Sequence, residues 1–365
     1  MNRYKIALLA GDGIGPEIMQ QAEKVLKAVE TRSDVKFDLT PALFGAAAWF
    51  ETGHSLPQET IDICDQSDAI LKGTIGLNHE DTQKIPVEER PERAGLLPLR
   101  KHLDTYANFR PVYLPAGLKH FSPLKPEIIG DGIDIMIIRE LVGGLYFGEK
   151  KLGVDEHGQR YAVETLEYTE QQIERILRVA LETAQKRKGV LHNIHKSNVL
   201  KSSVLWNEIL GEIAGEYPDV RIEHMLVDAA ATYLCLNPGQ FDVMVMENMM
   251  GDILSDQGGG ILGSLGLMPS ACIGPNKAYY EPSHGSAPDI AGQNVANPYS
   301  MLGSVAMMLE YSFGMKDQSK AIFDAMEALF VEGFTTPDLV QPEVENRMIS
   351  TDEFGDKVAK AISKS

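Results

Sequence analysis

Short apolar runs that alternate with amphipathic helical segments are the feature that most constrains how this chain can fold. Tyr4–Ala10, Ile133–Ile138 and Val190–His195 are typical of buried strands, whereas the segment that begins at Thr169 repeats its apolar residues with a helical period. Alternating strands and helices predict an α/β protein with largely parallel sheets. Ligands of such proteins bind at the carboxyl ends of the strands, so the residues that follow each strand are the first candidates for a site.

Charged residues occupy several of these positions. Arg139, Lys196, Asp228 and Asp252 each lie at or just past the end of a predicted strand. Asp252 and Asp256 are four residues apart on a predicted helix and therefore share one face. Two neighbouring carboxylates repel each other unless a cation lies between them, and carboxylate oxygens suit Mg²⁺ or Mn²⁺. A solvated acidic face is the alternative interpretation of this pair.

Charge and composition narrow the classes of partner. The 365 residues carry a net charge of −18, which argues against nucleic acid as a partner and means that an anionic substrate needs locally gathered arginines. No apolar run approaches a membrane span and the N-terminal residues show no signal-peptide pattern, so we expect no membrane association. Cys64, Cys235 and Cys272 are far apart in sequence, which favours a reduced, cytoplasmic protein.

Four local patterns predict loops, turns and caps. Residues 11–17 (GDGIGPE) form a strand-to-helix turn, whose GxGxG spacing differs from the GxGxxG of dinucleotide-binding proteins. Residues 77–94 are polar and contain prolines, which predicts a loop, and loops of this length after a strand are usually functional or mobile. Residues 145–167 predict a projecting hairpin. Ser55 and Gln58 predict a capping box at the start of a helix.

Taken together, these motifs resemble the metal-dependent β-decarboxylating dehydrogenases, the isocitrate and 3-isopropylmalate dehydrogenase family. The resemblance spans essentially the whole chain and rests on residues 11–17, on LLPLRKHLDTYANFRP at 96–111, on 139–148, on HKSNVL at 195–200, on NMMGDILSD at 248–256 and on HGSAPDIAG at 284–292. It implies a homodimer with shared active sites and a two-domain fold that is not the usual Rossmann arrangement. Residues 1–104 and 263–365 would form a discontinuous cofactor domain, and 105–262 an inserted substrate and dimerisation domain.

The resemblance also implies roles for individual residues. Lys196 would be the catalytic base and Tyr146 the catalytic acid, and Asp252 and Asp256 would hold Mg²⁺ or Mn²⁺ with Asp228 of the other subunit. Substrate carboxylates would bind the local arginines, which are Arg100, Arg110 and Arg139. The alkyl group would contact Leu96 and Leu97, together with Val199 of the other subunit. The cofactor would be NAD, because Asp289 followed by Ile290 suits an unphosphorylated ribose. The implied cofactor residues are Gly266, His284, Gly285, Ser286, Ala287, Asp289, Ile290 and Asn297.

The residues leave the exact substrate open. Leu96, Leu97 and Leu141 favour the isopropylmalate-type members, which oxidise a malate with an alkyl group at C3. His195-Lys196 is more typical of isocitrate or homoisocitrate enzymes, and other 3-alkylmalates, 3-arylmalates, tartrate and D-malate remain alternatives. Two further classes compete with this interpretation. One is a metal-dependent hydrolase that uses Asp252 and Asp256, and the other is a catalytically silent binding protein.

Overall fold

The computed structural model describes residues 2–339 and 347–364. Most of its strands join one large sheet, and a separate pair forms a hairpin. The strands are β1 (Asn2–Gly11), β2 (Val35–Pro41), β3 (Ala69–Thr74), β4 (Ala107–Tyr113), β5 (Asp134–Glu140), β6 (Lys150–Val154), β7 (Arg160–Glu164), β8 (Val190–His195), β9 (Arg221–Leu226), β10 (Val243–Met246), β11 (Pro269–Ile273), β12 (Ala278–Pro282), β13 (Phe334–Thr335) and β14 (Arg347–Met348).

The large sheet has ten strands in the order β2-β1-β3-β12-β11-β4-β5-β10-β8-β9. Neighbouring strands are parallel except around β11 and β4, where β12–β11, β11–β4 and β4–β5 are antiparallel. The predicted α/β class with a mostly parallel sheet is therefore confirmed. The antiparallel centre joins a parallel group that contains β1 to β3 and a parallel group that contains β5, β10, β8 and β9.

Helices cover the sheet, and their apolar faces form the core. Ile18, Val25 and Leu26 of the first helix are buried against the β1 side, whereas Ile173 and Ile176 of the seventh helix are buried against the β5 side. The helices are α1 (Gly15–Glu30), α2 (Gly45–Thr52), α3 (Gln58–Gln66), α4 (His79–Thr82), α5 (Leu97–His102), α6 (Pro126–Ile129), α7 (Glu170–Gln185), α8 (Lys201–Ile213), α9 (Val227–Leu236), α10 (Asn248–Leu262), α11 (Tyr299–Tyr311), α12 (Lys316–Val331) and α13 (Thr351–Lys364).

The predicted hairpin is confirmed, because β6 and β7 pair antiparallel and expose Leu152 and Val163. Two local predictions are wrong. Residues 77–94 contain helix α4, a 3-10 turn at Val87–Glu89 and the start of a π-helical turn at Pro91–Leu96. Ser55 donates its hydroxyl to the carbonyl of Glu89 instead of capping α3. At Ser55 a tertiary contact overrides the local pattern, whereas α4 is capped locally, because Asn78 Oδ1 accepts from the amide of Asp81 at 2.8 Å.

The proposed division at residues 104 and 262 falls between elements. Residue 104 precedes β4, and residue 262 ends α10. The division itself stays a prediction. All three cysteines are free, and no helix in the described ranges is long and apolar enough to cross a membrane.

Candidate active site

A cavity of about 350 Å³ opens where several strands of the large sheet end. Arg139 reaches it from β5, Arg110 from β4 and Arg100 from α5, while Asp252 reaches it from α10. The structure therefore brings together predicted site residues that are up to 189 positions apart in sequence, Leu96 and Gly285. Nine of the predicted site residues line it. Seven were predicted for catalysis, substrate or metal (Leu96, Leu97, Arg100, Arg110, Arg139, Tyr146 and Asp252) and two for the cofactor (His284 and Gly285).

Arg139, Asp252 and Tyr146 form the centre of the cavity. Arg139 is almost completely buried, and its Nη1 donates to Asp252 Oδ1 while Nε and Nη2 donate to Asn248 Oδ1 at 3.1 and 2.7 Å. Burial, reinforced by nearby Arg110, lowers the pKa of Arg139 to about 10. Tyr146 donates its hydroxyl to Asp252 Oδ2 at 2.9 Å. This arrangement fixes both oxygens of one carboxylate.

The ionisation states follow from these contacts. Burial alone would raise the pKa of Asp252, but Arg139 and Arg110 outweigh it and lower that pKa below its ordinary value. Burial, and then the Asp252 charge, raise the pKa of Tyr146 to about 12. At neutral pH the site therefore holds an ionised carboxylate beside a protonated phenol.

Arg110 connects this centre to the second carboxylate of α10. Its Nη1 donates to Ser255 Oγ at 2.7 Å and lies 3.4 Å from Asp256 Oδ1, and its Nε donates to Asn108 Oδ1 at 2.8 Å. Burial raises the pKa of Asp256, partly offset by Arg110. Asp252 and Asp256 share one face of α10, as predicted, although Asp256 is more exposed and does not line the cavity.

These carboxylates fit a divalent cation by the chemistry of their donor atoms. Arg139 and Tyr146 each occupy one lone pair on the two Asp252 oxygens, which leaves a second lone pair on each oxygen. The side chains of Asp252 and Asp256 are 37% and 56% exposed, so both can accept a further ligand from solvent. Hard oxygen donors of this kind suit Mg²⁺ and Mn²⁺.

Three predicted site residues lie elsewhere on the chain. Lys196 Nζ is 2.7 Å from Asp228 Oδ1, and neither residue lines the cavity. Val199 is 69% exposed. Within residues 2–339 and 347–364, no three Asp, Glu, His or Cys side chains form a metal-binding group. Asp228 therefore does not join Asp252 and Asp256 within one chain, and it is held by Lys196 instead.

A second cavity, of about 550 Å³, contains most of the predicted cofactor residues. Gly266, Ile290 and Asn297 line it, together with Ala287 at the tip of the 284–292 loop. Two predicted residues of the loop do not line the cavity. Asp289 is exposed beside Ile290, and the side chain of Ser286 is buried. His284 and Gly285 line both cavities, which places the predicted cofactor loop between them.

His284 carries the observation that best fits a bound cofactor at this junction. Its Nδ1 contacts the carbonyl of Gly285 at 2.9 Å, whereas Nε2 is buried and has no hydrogen-bond partner in the described part of the chain. Burial lowers the pKa of the imidazole, which favours its neutral form. A buried nitrogen without a partner is costly unless a ligand satisfies it.

Sequence reasoning missed several residues of both cavities. Lys72 and Glu281 line the first cavity as an ion pair, with Nζ 2.6 Å from Oε2. Asp338 lines the second and accepts from Ser264 Oγ at 2.7 Å and from Asn297 Nδ2 at 3.1 Å. Lys72 lies within an apolar strand, and that charge was the available signal. No pattern around Asp338 distinguished it.

The glycine turn at residues 11–17 supports the cofactor loop. The amide of Ile14 donates to the carbonyl of Ser286 at 2.9 Å, and a Cβ on Gly13 would lie 2.1 Å from that oxygen. Glu17 Oε2 accepts from the amide of Gly292 at 3.0 Å. Asp12 fixes the turn, since its carboxylate accepts from three backbone amides, those of Ala46, Ala47 and Gly76.

The chain is similar to known proteins over nearly its whole length. Residues 5–358 match the family model described as isocitrate/isopropylmalate dehydrogenase. The chain is 49% identical over 359 residues to a 3-isopropylmalate dehydrogenase of Carboxydothermus hydrogenoformans, covering 98% of this chain and 95% of the relative. It is 49% identical over 361 residues to one of Moorella thermoacetica, covering 99% of each. A crystal structure of isocitrate dehydrogenase from Methylococcus capsulatus superposes with a TM-score of 0.86 at 33% identity, covering 99% of each chain.

Proposed function

The chain belongs to the isocitrate/isopropylmalate dehydrogenase family, and from this premise we propose that it catalyses the metal- and NAD-dependent oxidative decarboxylation of a 3-substituted malate. The substrate is 3-isopropylmalate and the product 2-oxo-4-methylpentanoate, as in leucine biosynthesis, in the cytoplasm. The names of the relatives at 44–49% identity support this substrate. The observation that carries the proposal is the cavity that gathers three arginines, the Asp252 carboxylate and two leucines.

The arginines provide the charge that a substituted malate requires. Arg100, Arg110 and Arg139 are buried around the cavity in a chain of net charge −18. Guanidinium groups match carboxylates bidentately, so they orient the substrate as well as attract it. Leu96 ends the π-helical turn, Leu97 begins α5, and both line the same cavity, where they would contact the alkyl group. An apolar contact distinguishes neighbouring alkyl groups by only about 1–3 kcal/mol per methylene.

Asp252 and Asp256, with Asp228 of a second copy, would hold the cation. When bound, the cation would acidify the C2 hydroxyl and the nicotinamide would accept the C2 hydride. Lys196 would accept the hydroxyl proton. Tyr146 would donate a proton to C3 once CO₂ has left, and its pKa of about 12 keeps it protonated and able to do so at neutral pH. The hydrogen bond to Asp252 orients that phenol toward the cation site.

The second cavity would bind NAD beside the substrate. His284 and Gly285 line both cavities, which supports transfer between adjoining ligands. His284 Nε2 would satisfy its hydrogen bond with the cofactor, and Asn297 and Gly266 would contact its adenosine part. Asp289 is exposed beside Ile290, where it would accept from a ribose hydroxyl and repel a 2′-phosphate.

A homodimer would complete each site. Lys196 and Asp228 are bound to each other outside the cavity, so both would reach the substrate from a second copy of the chain, together with exposed Val199. The inserted domain, residues 105–262, carries these residues and the β6–β7 hairpin, whose Leu152 is 87% exposed. Two copies related by a two-fold axis would build two such sites.

A substrate panel tests this proposal. The purified chain is incubated with Mn²⁺ and NAD⁺, and NADH absorbance is followed with 3-isopropylmalate, isocitrate, homoisocitrate, D-malate, tartrate and a 3-arylmalate. We expect the highest kcat/KM for 3-isopropylmalate. A higher value for another acid would move the assignment within the family, and no NADH with any of them would refute it.

A further inference from the structure

Lys72 is a buried cation that the proposed mechanism does not use. It lies within β3, its side chain is 2% exposed, and it lines the substrate cavity. Its Nζ donates to the carbonyl of Gly73 at 2.8 Å and lies 2.6 Å from Glu281 Oε2. Burying an ammonium group is unfavourable even when it is paired. The chain nevertheless places one at the cavity wall.

Glu281 is shared between Lys72 and a predicted substrate arginine. Its second oxygen, Oε1, lies 3.3 Å from Arg100 Nη2, and Arg100 Nε donates to the hydroxyl of Tyr279 at 2.9 Å. Burial alone would raise the pKa of Glu281, but Lys72 and Arg100 outweigh it and lower that pKa to about 2. The carboxylate is therefore ionised throughout the neutral range.

The charges of this group decide whether Arg100 can attract an anion. Lys72 and Arg100 contribute two positive charges and Glu281 one negative charge, which leaves a net charge of +1 beside the substrate site. Without Lys72, the Arg100–Glu281 pair would be neutral. A substrate carboxylate would then meet the dipole of an ion pair and not an uncompensated guanidinium.

We propose that Lys72 is a positioning residue for substrate binding, which neutralises Glu281 so that the charge of Arg100 stays available to a substrate carboxylate. This inference rests on the proposed function, because it requires an anionic substrate at Arg100. It assigns to β3 a part in substrate affinity, which Lys72 would exert through Glu281 and Arg100. A purely structural Lys72 would affect folding stability and leave substrate affinity unchanged.

The test compares a single with a double variant. Lys72→Met keeps an unbranched side chain that is one atom shorter and removes the charge, so we expect KM for the substituted malate to rise about tenfold or more, with a smaller change in kcat. Lys72→Met combined with Glu281→Gln restores the net charge of +1 at Arg100. We expect this double variant to recover most of the lost substrate affinity, although it lacks both partners of the ion pair.

A second measurement separates affinity from turnover. Binding of plain malate in the presence of Mg²⁺, without cofactor, is measured by calorimetry in the wild type and both variants, and thermal unfolding confirms that each is folded. If Lys72→Met bound malate as tightly as the wild type, the inference would be refuted. A double variant that bound no better than the single one would refute it as well. An inactive wild type that binds malate in this charge-dependent way would overturn the proposed function alone.

Discussion

Gly251 of α10 lies directly against the side chain of Arg139: a Cβ at position 251 would be 2.6 Å from Arg139 Cγ and 2.7 Å from its Cβ. The contact is with the stem of a buried arginine, whose guanidinium is fixed by Asn248 and Asp252. The position of Arg139, which we propose binds the substrate, therefore requires a glycine at 251.

Gly251→Ala should displace Arg139 and lower kcat/KM by about tenfold or more, since small misplacements of a binding group are costly. We also expect a loss of stability of about 1–3 kcal/mol from overpacking. Gly260→Ala is the matched control, because it lies on the same helix and its added Cβ would meet no atom within 4 Å. That control should keep full activity and gain about 0.5–1 kcal/mol of helix stability. Equal activity in the two variants would contradict this explanation.

Tyr146→Phe should lower kcat by roughly 10²–10⁴-fold, the usual contribution of a general acid. The variant retains the ring but lacks the hydroxyl that donates to Asp252 at 2.9 Å. Single-turnover measurements should show NADH formed faster than the decarboxylated product. Tyr4→Phe is the control, since Tyr4 stacks on Phe313 and does not line the cavity. A Tyr146→Phe enzyme with normal turnover would exclude the phenol as proton donor.

Mixing two inactive variants tests whether the sites are shared. Lys196→Met and Asp252→Asn subunits should each be inactive alone. If Lys196 serves the cavity of the other copy, a mixed dimer contains one intact site, and equal mixing after subunit exchange should restore about a quarter of wild-type activity. A mixture that stays inactive, although mass spectrometry shows mixed dimers, would place Lys196 and Asp252 in the same subunit's site.

Acid should destabilise the folded chain through Glu281. Because its pKa is lowered from 4.5 to about 2 on folding, the ionised carboxylate contributes stability that is fully present above pH 5 and is lost as the pH falls from 4.5 towards 2. The full contribution is up to about 3 kcal/mol. Urea unfolding between pH 7 and pH 3 should therefore depend less on pH in Glu281→Gln than in the wild type. Glu88→Gln, at an exposed site, should retain the wild-type dependence.

Asp289 should set the cofactor preference. The carboxylate is exposed beside Ile290, which lines the second cavity, so we expect NADH to bind more tightly than NADPH in a fluorescence titration without substrate. Asp289→Asn should narrow that difference by removing the repulsion of a 2′-phosphate. Asp317→Asn, on the surface of α12, is the control. A wild type that prefers NADPH would overturn the assignment.

The sequence predicted the parts of the fold that depend on local patterns. Buried strands such as β8 and amphipathic helices such as α7 have a hydrophobic period, and the parallel sheet follows from their alternation. Residues 77–94 have no such period. The only local signal for α4 is the cap residue Asn78, which accepts from the amide of Asp81, and the backbone at Glu89 is fixed by a tertiary contact with Ser55.

Site residues that belong to sequence motifs could be predicted, whereas residues whose role depends on a partner distant in sequence could not. Arg139 and Asp252 belong to recognisable motifs, and they converge as expected. Lys72 is a charged residue in a buried strand, and the sequence around it does not explain why. The explanation is its ion pair with Glu281, which is 209 positions away in sequence. Only the three-dimensional structure provides that partner.

The backbone contact between Ile14 and Ser286 limits how this protein can be redesigned. Residues 284–292 do not form an independent module, because their carbonyls and amides are bound by the turn that begins the chain's first helix. If this loop were replaced by that of an NADP-using relative, the contacts of Gly13 with Ser286 and of Glu17 with Gly292 would no longer match the loop. An exchange of the proposed cofactor would therefore require residues 11–17 and 284–292, about 270 positions apart in sequence, to be transplanted as a single unit.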